Sequence, residues 1–275
     1  MLKDRVITGA IGIPVIVLAV WFGDPWFSIF VALAALAGTY EFYRMAGLQR
    51  AEPLMYLGLL WSLALVLSCH YLRCDVLPLV VGVAMLVSLI CLLPRPSRET
   101  AFRSWAWTIA GAFYVGWMLS YWLNLRGLAD GRNWVYLAMF TTFANDTGAY
   151  FVGRAMGRRK LAPAISAAKT WEGAIGGLVS AVVAAVVIAT ILGRVNQGFS
   201  DTSPCTFQYW EIMVVGLVVS IFAQLGDLVE SLLKRNMGVK ESGKLLPGHG
   251  GVLDRFDSLI FVGAAVYYYV TWVLL

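Results

Sequence analysis

Long apolar stretches separated by short polar segments run along the whole chain. Each stretch is bounded by charge or by glycine and proline, as at Gly23-Asp24-Pro25. A helix that crosses a bilayer needs about 20 mostly apolar residues. Nine stretches are near that length: 6–23, 26–43, 54–72, 76–94, 105–125, 134–153, 173–193, 211–229 and 258–275. None alternates with period two, which disfavours an outer-membrane barrel. The pattern predicts an all-α polytopic membrane protein with about nine transmembrane helices.

The composition excludes most other classes of protein. Of the 275 residues, 60% are hydrophobic and only 13% are charged, whereas soluble domains carry about 25% charged residues. A soluble enzyme, a disordered chain and a collagen-like fibre are all inconsistent with these values. The chain is therefore expected to form a single membrane domain, 1–275.

Positive charge predicts the orientation of this domain. If the N-terminus is cytoplasmic, 17 of the 21 Lys and Arg residues fall on the cytoplasmic side and the C-terminus lies outside. This split follows the positive-inside rule. The net charge of +5 is therefore interpreted as basic cytoplasmic loops beside an anionic membrane, and not as a sign of nucleic-acid binding. The longest loops, 154–172 and 230–257, both fall on the cytoplasmic side. The first stretch has no clear cleavage site, so we expect a retained helix.

The cysteines and histidines do not form a metal motif. None of Cys69, Cys74, Cys91 and Cys205 is in a C-x-x-C pair. A disulfide between Cys74 and Cys205 is conceivable if both face outward. Two histidines, His70 and His249, are too few for a histidine-based zinc site.

A polar stripe marks the end of the eighth apolar stretch. Asp227, Glu230 with Ser231, and Lys234 are spaced so that a helix brings them onto one face. One interpretation is an interfacial amphipathic helix with a Glu230–Lys234 pair. The other is a functional site, because an ionisable group at membrane depth is costly.

A glycine-rich segment follows this stripe, from Lys240 to Gly251. Its glycines allow positive φ angles and can present backbone N–H groups to an anion. The run from Gly238 to Lys244 has the spacing of a P-loop, but Leu245 follows where the magnesium-binding Ser or Thr would stand. A P-loop is therefore rejected.

Two acids stand where the last apolar stretch begins. Asp254 and Asp257 flank Arg255 directly after the glycine-rich turn, which is more than helix capping requires. Asp227 and Asp254 are each expected at the cytoplasmic end of a helix, where the two can converge on one divalent metal. Magnesium prefers a few carboxylates together with water and substrate phosphates.

Two further candidates lie upstream of these segments. Asp146 stands inside the sixth apolar stretch. Lys169 stands near the start of the seventh, where a cation is disfavoured unless an anion is present.

These motifs resemble those of the phosphatidate cytidylyltransferases, also called CDP-diacylglycerol synthases. The resemblance rests on Ser231-x-x-Lys234-Arg235, Lys240-Glu241-Ser242-Gly243 and Pro247-Gly248-His249-Gly250-Gly251-x-x-Asp254-Arg255-x-Asp257. Further similar blocks surround Asp146, Lys169 and Asp227, so the resemblance covers 134–275. Residues 1–133 match only as hydrophobic spans. Glu241 stands where the family usually has Asp.

The resemblance implies a nucleotidyltransferase of phospholipid biosynthesis in the cell (inner) membrane. CTP and phosphatidate would give CDP-diacylglycerol and pyrophosphate at the cytoplasmic face, with magnesium held by Asp227 and Asp254. Catalytic roles are expected for Asp227, Asp254, Lys169 and Asp146. Substrate contacts are expected from Ser231, Lys234, Arg235, Lys240, Ser242, Lys244, His249, Gly250, Gly251, Arg255 and Asp257. A second, monovalent cation and a homodimer remain open.

Two other functions compete with this one. A related enzyme would use CTP with another lipid phosphate, such as an isoprenoid-ether analogue of phosphatidate. A transporter would use Asp146 and Asp227 as coupling sites. A transporter is expected to have polar groups near the midplane and inverted repeats, whereas the acids here cluster towards one membrane face. The enzymes are therefore favoured.

Overall fold

The helices of the computed structural model follow the apolar stretches of the sequence. It describes residues 2–48, 52–71, 76–94, 98–197, 208–245, 248 and 250–274. Within these ranges the helices are α1 (Leu2–Phe22), α2 (Trp26–Leu48), α3 (Met55–Tyr71), α4 (Val76–Ile90), α5 (Arg98–Gly111), α6 (Met118–Arg126), α7 (Gly131–Met156), α8 (Trp171–Gln197), α9 (Tyr209–Asn236) and α10 (Leu253–Tyr269). A π-helical segment, Ala112–Trp117, joins α5 to α6, and a second one, Val270–Leu274, extends α10. Each predicted stretch coincides with a helix in the described part of the chain.

Several of these helices are suited to a bilayer. Four ranges are long and apolar enough to cross one: Trp26–Leu48, Trp171–Gly193, Tyr209–Asn236 and Leu253–Leu274. Ala10–Phe22, Met55–Ser68 and Val76–Ile90 are apolar but shorter. Along α8 every fourth residue from Ile175 to Ile191 is an Ile or Val that is at least half exposed. So much exposed apolar surface fits contact with lipid. The chain is therefore a membrane protein, and the count of nine spans remains a prediction.

One element departs from the predicted all-α fold. In the segment between α7 and α8, strands β1 (Lys160–Ala162) and β2 (Ser166–Thr170) pair as an antiparallel hairpin. The carboxylate of Glu172, in the first turn of α8, accepts the backbone N–H groups of Arg158 (3.0 Å) and Arg159 (3.2 Å). Glu172 thereby fixes the entry to β1. The strands are too short to produce a recognisable alternation in sequence, which explains why they were not predicted.

The chain forms two compact units. The first comprises Met1–Gly127 and Leu233–Phe256, and the second comprises Leu128–Leu232 and Asp257–Leu275. The sequence grouped residues 233–256 with the C-terminal half, whereas the structure includes them in the first unit.

Apolar packing and a few side-chain hydrogen bonds stabilise the first unit. Trp61, Leu65 and Ala112 form a buried cluster. At the turn between α1 and α2, the Asp24 carboxylate accepts hydrogen bonds from the Ser28 hydroxyl and, at 3.1 Å, from the Tyr71 hydroxyl. The turn is thereby tied to the end of α3.

Close approach of α7 and α8 organises the second unit. A Cβ atom placed on Gly176 would lie 2.5 Å from the side chain of Val152, and one on Gly177 would lie 2.8 Å from Oδ1 of Asn145. Only glycine permits these contacts. A Cβ atom on Gly173 would likewise lie 2.9 Å from the carbonyl oxygen of Ala149 on α7. Close helix packing therefore explains Gly173 and Gly177, which are spaced as a G-x-x-x-G pair.

Candidate active site

A cavity of about 440 Å³ in the second unit holds three of the four side chains with predicted catalytic roles. Asp146 comes from α7, Lys169 from β2 and Asp227 from α9. The other lining residues are Asn145, Ala149, Tyr150, Gly153, Arg154, Leu161, Ala168, Thr170, Gly173, Ala174 and Gln224. The carboxylates of Asp146 and Asp227 and the cations of Lys169 and Arg154 give the lining the charges needed to bind a charged ligand with its counter-ion.

Two of the lining residues, Lys169 and Asp227, form an ion pair. Nζ of Lys169 is 2.8 Å from Oδ2 of Asp227, and the two side chains are 23% and 37% exposed. The sequence indicated that Lys169 needs an anion near it, and in the structure that anion is Asp227. Oδ1 of Asp227 is 3.5 Å from the Ser231 hydroxyl, one turn further along α9. Because Asp227 remains partly exposed, its carboxylate is accessible from the cavity.

A buried network of hydrogen bonds, which includes the amide side chains of Asn145 and Gln224, orients Asp146. Asn145 is 1% exposed, and its Nδ2 donates to Oδ1 of Asp146 at 3.0 Å. Its Oδ1 accepts from the Ser220 hydroxyl at 2.8 Å and from Nε2 of Gln224 at 3.3 Å. Nε2 of Gln224 also donates to the carbonyl of Ala174 at 3.0 Å. The side chain of Gln224 on α9 thereby contacts both α7 and α8.

The sequence analysis did not identify this network. The available signal was the i, i+4 spacing of Ser220 and Gln224 inside the apolar helix α9, which brings both onto one face. Arg154 was also missed as a cavity residue. Its Nη1 donates to the hydroxyl of Tyr150 at 2.9 Å. The cavity thus has a second cation besides Lys169.

The fourth predicted catalytic residue, Asp254, belongs to a separate cluster in the first unit. Oδ1 accepts a hydrogen bond from Nζ of Lys234 at 2.8 Å. Oδ2 accepts the backbone N–H groups of Ser242 and Gly251, each at 2.9 Å, and lies 3.0 Å from the Ser242 hydroxyl. The Asp254 side chain is only 8% exposed. Its carboxylate therefore organises the glycine-rich loop, and it would have to exchange one of these contacts to bind a metal.

The loop also contacts an acid far away in sequence, which the sequence analysis missed. Glu41 of α2 is 2% exposed, and its carboxylate accepts hydrogen bonds from Ser242, Val252 and Leu253. It is the one acid of α2, a largely apolar helix whose other charged residue is Arg44. By the reasoning applied to Asp146, that position alone marks it as a candidate.

The remaining predicted substrate contacts are spread over the two units. Asp257, in the second unit, is half-buried, and its Oδ1 accepts the backbone N–H of Ser258 at 2.7 Å. Gly250 has a φ angle of 82°, so it adopts the left-handed conformation expected of this loop. Four basic residues of the first unit are exposed: Arg235, Lys240, Lys244 and Arg255. His249 and the cysteines Cys74 and Cys205 lie outside the described residues.

The cavity has suitable chemistry for a magnesium ion. The acidic residues Asp146 and Asp227 line it, and oxygen is the ligand atom that magnesium prefers. Among the described residues no group of three or more His, Cys, Asp or Glu side chains is arranged to hold a metal by itself. Substrate phosphates or water would therefore complete the coordination. Asp227 and Asp254 belong to different units, and their shared site stays a prediction.

Comparison with known proteins identifies the family. The sequence pattern of the cytidylyltransferase family matches residues 3–273. The chain is 34% identical over 271 residues to a phosphatidate cytidylyltransferase of Bacillus subtilis, with 97% of both chains covered. It is 33% identical to one of Synechocystis sp. over 309 aligned residues, covering 100% of this chain and 98% of the relative. The resemblance inferred from the motifs is confirmed, and the chain belongs to the cytidylyltransferase family.

Proposed function

We propose that the protein transfers the cytidylyl group of CTP to phosphatidate, giving CDP-diacylglycerol and pyrophosphate. The observation that carries this proposal is the similarity over nearly the whole chain to enzymes named phosphatidate cytidylyltransferase. Two features of the structure support it. Apolar helices suit a lipid substrate, and a cavity with Lys169 and Arg154 suits a phosphate-bearing one.

The proposed reaction is an in-line displacement at phosphorus. A phosphate oxygen of phosphatidate forms a bond to the α-phosphorus of CTP, and the bond from that phosphorus to the bridging oxygen of the β-phosphate breaks. Pyrophosphate leaves with the electron pair. Phosphatidate is already an anion near neutral pH, so no strong general base is required. The protein then has to hold two anions together and neutralise the charge that develops.

In the proposed mechanism, the cavity residues of the second unit and the residues around Asp254 in the first unit have different roles. Lys169 supplies positive charge in the cavity of the second unit, where Asp227 orients it. Lys234 and the backbone N–H groups of the glycine-rich loop supply donors for the β- and γ-phosphates, as the family resemblance implies. Asn145 holds the Asp146 carboxylate in its orientation towards the cavity.

A magnesium ion fits this arrangement as a cofactor. Asp227 and Asp146 would hold it together with water or substrate phosphates, and the sequence adds Asp254 as a predicted ligand. When bound, magnesium would supply positive charge to the phosphoryl oxygens. A second, monovalent cation and a homodimer are compatible with the sequence.

The membrane arrangement is also a proposal. The nine helical stretches would span the cell membrane with the N-terminus in the cytoplasm and the C-terminus outside. Loops 154–172 and 230–257 then face the cytoplasm, where CTP is available. The distribution of Lys and Arg supports this orientation.

A purified-protein assay tests the proposed function. The protein in detergent micelles is given CTP and magnesium with phosphatidate, its isoprenoid-ether analogue or diacylglycerol, and pyrophosphate release is followed. We expect release with phosphatidate, little with the ether analogue and none with diacylglycerol, which lacks the attacking phosphate. Asp227→Asn is the inactive control. Release that depends on the ether analogue instead of phosphatidate would contradict the proposal, as would no release with any lipid.

A further inference from the structure

A buried carboxylate of α2 caps the start of α10 in the first unit. Oε1 of Glu41 accepts the backbone N–H of Val252 at 3.0 Å, and Oε2 accepts that of Leu253 at 2.9 Å. N–H groups at the start of a helix have no acceptor within the helix and favour a negative partner. Glu41 therefore supplies a cap for the start of α10 from about 210 residues away in sequence.

The glycine-rich loop is shaped to receive this carboxylate. A Cβ atom on Gly243 would collide with Oε1 and Cδ of Glu41, and one on Gly251 would collide with Oε2 of Glu41 and the hydroxyl of Ser242. Glycine at these two positions lets the backbone of the loop close around the carboxylate. The fit is thus one of shape as well as of hydrogen bonding.

One hydroxyl connects Glu41 to Asp254. Oγ of Ser242 lies 3.1 Å from Oε2 of Glu41 and 3.0 Å from Oδ2 of Asp254. The same Oδ2 accepts the N–H of Gly251, which packs against Glu41. A displacement of the Glu41 carboxylate would consequently move Ser242 and Gly251, whose groups contact Oδ2 of Asp254, while Lys234 holds Oδ1 independently.

We propose that Glu41 is a positioning residue for the nucleotide-binding loop. It holds Ser242, Val252 and Leu253 so that Asp254, Lys234 and the N–H groups beside them present a fixed arrangement to the phosphates of CTP. This role rests on the proposed function. Groups that orient the ligands of a site commonly change affinity or activity by about 10- to 100-fold when they are replaced.

Glu41→Gln is the direct test, because it keeps the size of the side chain and removes its charge. Whichever way the amide is turned, its NH2 group faces one of the two backbone N–H donors, Val252 or Leu253. We expect kcat/KM for CTP to fall by about 10- to 100-fold. The KM for CTP rises, whereas the KM for phosphatidate stays unchanged. A variant that merely lost folded protein would lower the maximal rate and move neither KM.

Thr39→Val is the matched control for this variant. Thr39 lies on the same helix, is fully buried, and forms a hydrogen bond with Ser62 at 2.9 Å. Hydrogen–deuterium exchange of peptides covering residues 242–253 gives a readout that does not depend on activity. We expect faster exchange there in Glu41→Gln and unchanged exchange in Thr39→Val.

A second variant approaches the same contact from the loop. Gly243→Ala places a methyl group against the Glu41 carboxylate and should reproduce the loss in kcat/KM for CTP. Gly47→Ala, on α2 with no atom near its new methyl group, should not. If Glu41→Gln does not fold, the Gly243 and Gly47 pair decides the question.

The outcomes separate the two proposals. A wild-type chain that makes no CDP-diacylglycerol contradicts the proposed function. An active wild type, with Glu41→Gln matching Thr39→Val in kinetics and exchange, overturns the role of Glu41 alone. If Glu41→Gln is not recovered, the same conclusion follows from Gly243→Ala matching Gly47→Ala.

Discussion

Replacement of Lys169 by Met should remove the central positive charge of the cavity. Met has a similar length and no charge, so the change leaves the Asp227 carboxylate without its cation. At the observed separation of 2.8 Å, two unit charges attract by about 6 kcal/mol at an effective dielectric constant of about 20. Partial exposure and desolvation reduce the net contribution to folding to about 1–3 kcal/mol. The variant should therefore remain folded.

The effect on turnover should be larger than the effect on stability. A positioned positive group that neutralises developing charge commonly contributes about 10²- to 10³-fold to kcat. Lys160→Met is the matched control, because Lys160 lies on β1 of the same hairpin, is exposed and does not line the cavity. We expect about a 10²-fold loss or more in Lys169→Met and less than a threefold loss in Lys160→Met.

Steady-state assays at a series of magnesium concentrations measure both the turnover of each variant and the magnesium concentration that gives half-maximal rate. Because Lys169 and a divalent cation would compete for Oδ2 of Asp227, the magnesium concentration for half-maximal rate should not increase in Lys169→Met. Turnover of Lys169→Met within threefold of that of Lys160→Met would refute the reasoning. A raised magnesium requirement would refute the competition for Asp227.

Three further predictions concern the support of the site and its surroundings. Gly176→Ala should destabilise the protein by about 1–3 kcal/mol through overpacking against Val152, whereas Gly193→Ala on the same helix has open space and should be neutral or stabilising; equal thermal stabilities in detergent would contradict the close packing of α7 and α8. Asn145→Leu removes the acceptor of the buried Ser220 hydroxyl and the amide donor to Asp146, so we expect a loss of about 1–3 kcal/mol together with reduced turnover, and unchanged turnover would separate Asn145 from the site. Burial raises the pKa of Asp24, but hydrogen bonds from Ser28, His70 and Tyr71 outweigh it and hold the pKa below the usual 3.8; the stabilisation is present above that value and lost as the pH falls through the lowered pKa, so the advantage in thermal stability of the wild type over Asp24→Asn should shrink as the pH falls below about 4, and an advantage that stays constant as the medium is acidified would contradict this.

The helices were predictable because a bilayer imposes a simple pattern. A run of about 20 apolar residues has few alternatives to a spanning helix, and the charge or the Gly and Pro residues at each boundary mark its ends. The same pattern identified Asp146 and Asp227, since an acid inside an apolar run stands out without any knowledge of its neighbours. The motif resemblance added the family, which the comparisons confirm.

The contacts that shape the two clusters were not predictable, because they join residues far apart in sequence. Glu41 and the loop are separated by about 200 positions, and the local sequence of neither one indicates that the two are in contact. Asp254 shows the same limit. Its place at a helix start was read correctly, but its partners Lys234 and Ser242 depend on how the loop folds back. The hairpin of β1 and β2 was missed because strands of three and five residues carry almost no periodicity.

The fate of the phosphorus atoms of CTP tests the central claim most directly. Purified protein is incubated with phosphatidate and magnesium and with CTP that is radiolabelled at either the α- or the γ-phosphorus. Cytidylyl transfer predicts that the α-label enters the lipid fraction in step with the γ-label released as pyrophosphate. Entry of the γ-label into the lipid would indicate phosphoryl transfer and contradict the account, as would a lipid fraction that stays unlabelled by either nucleotide.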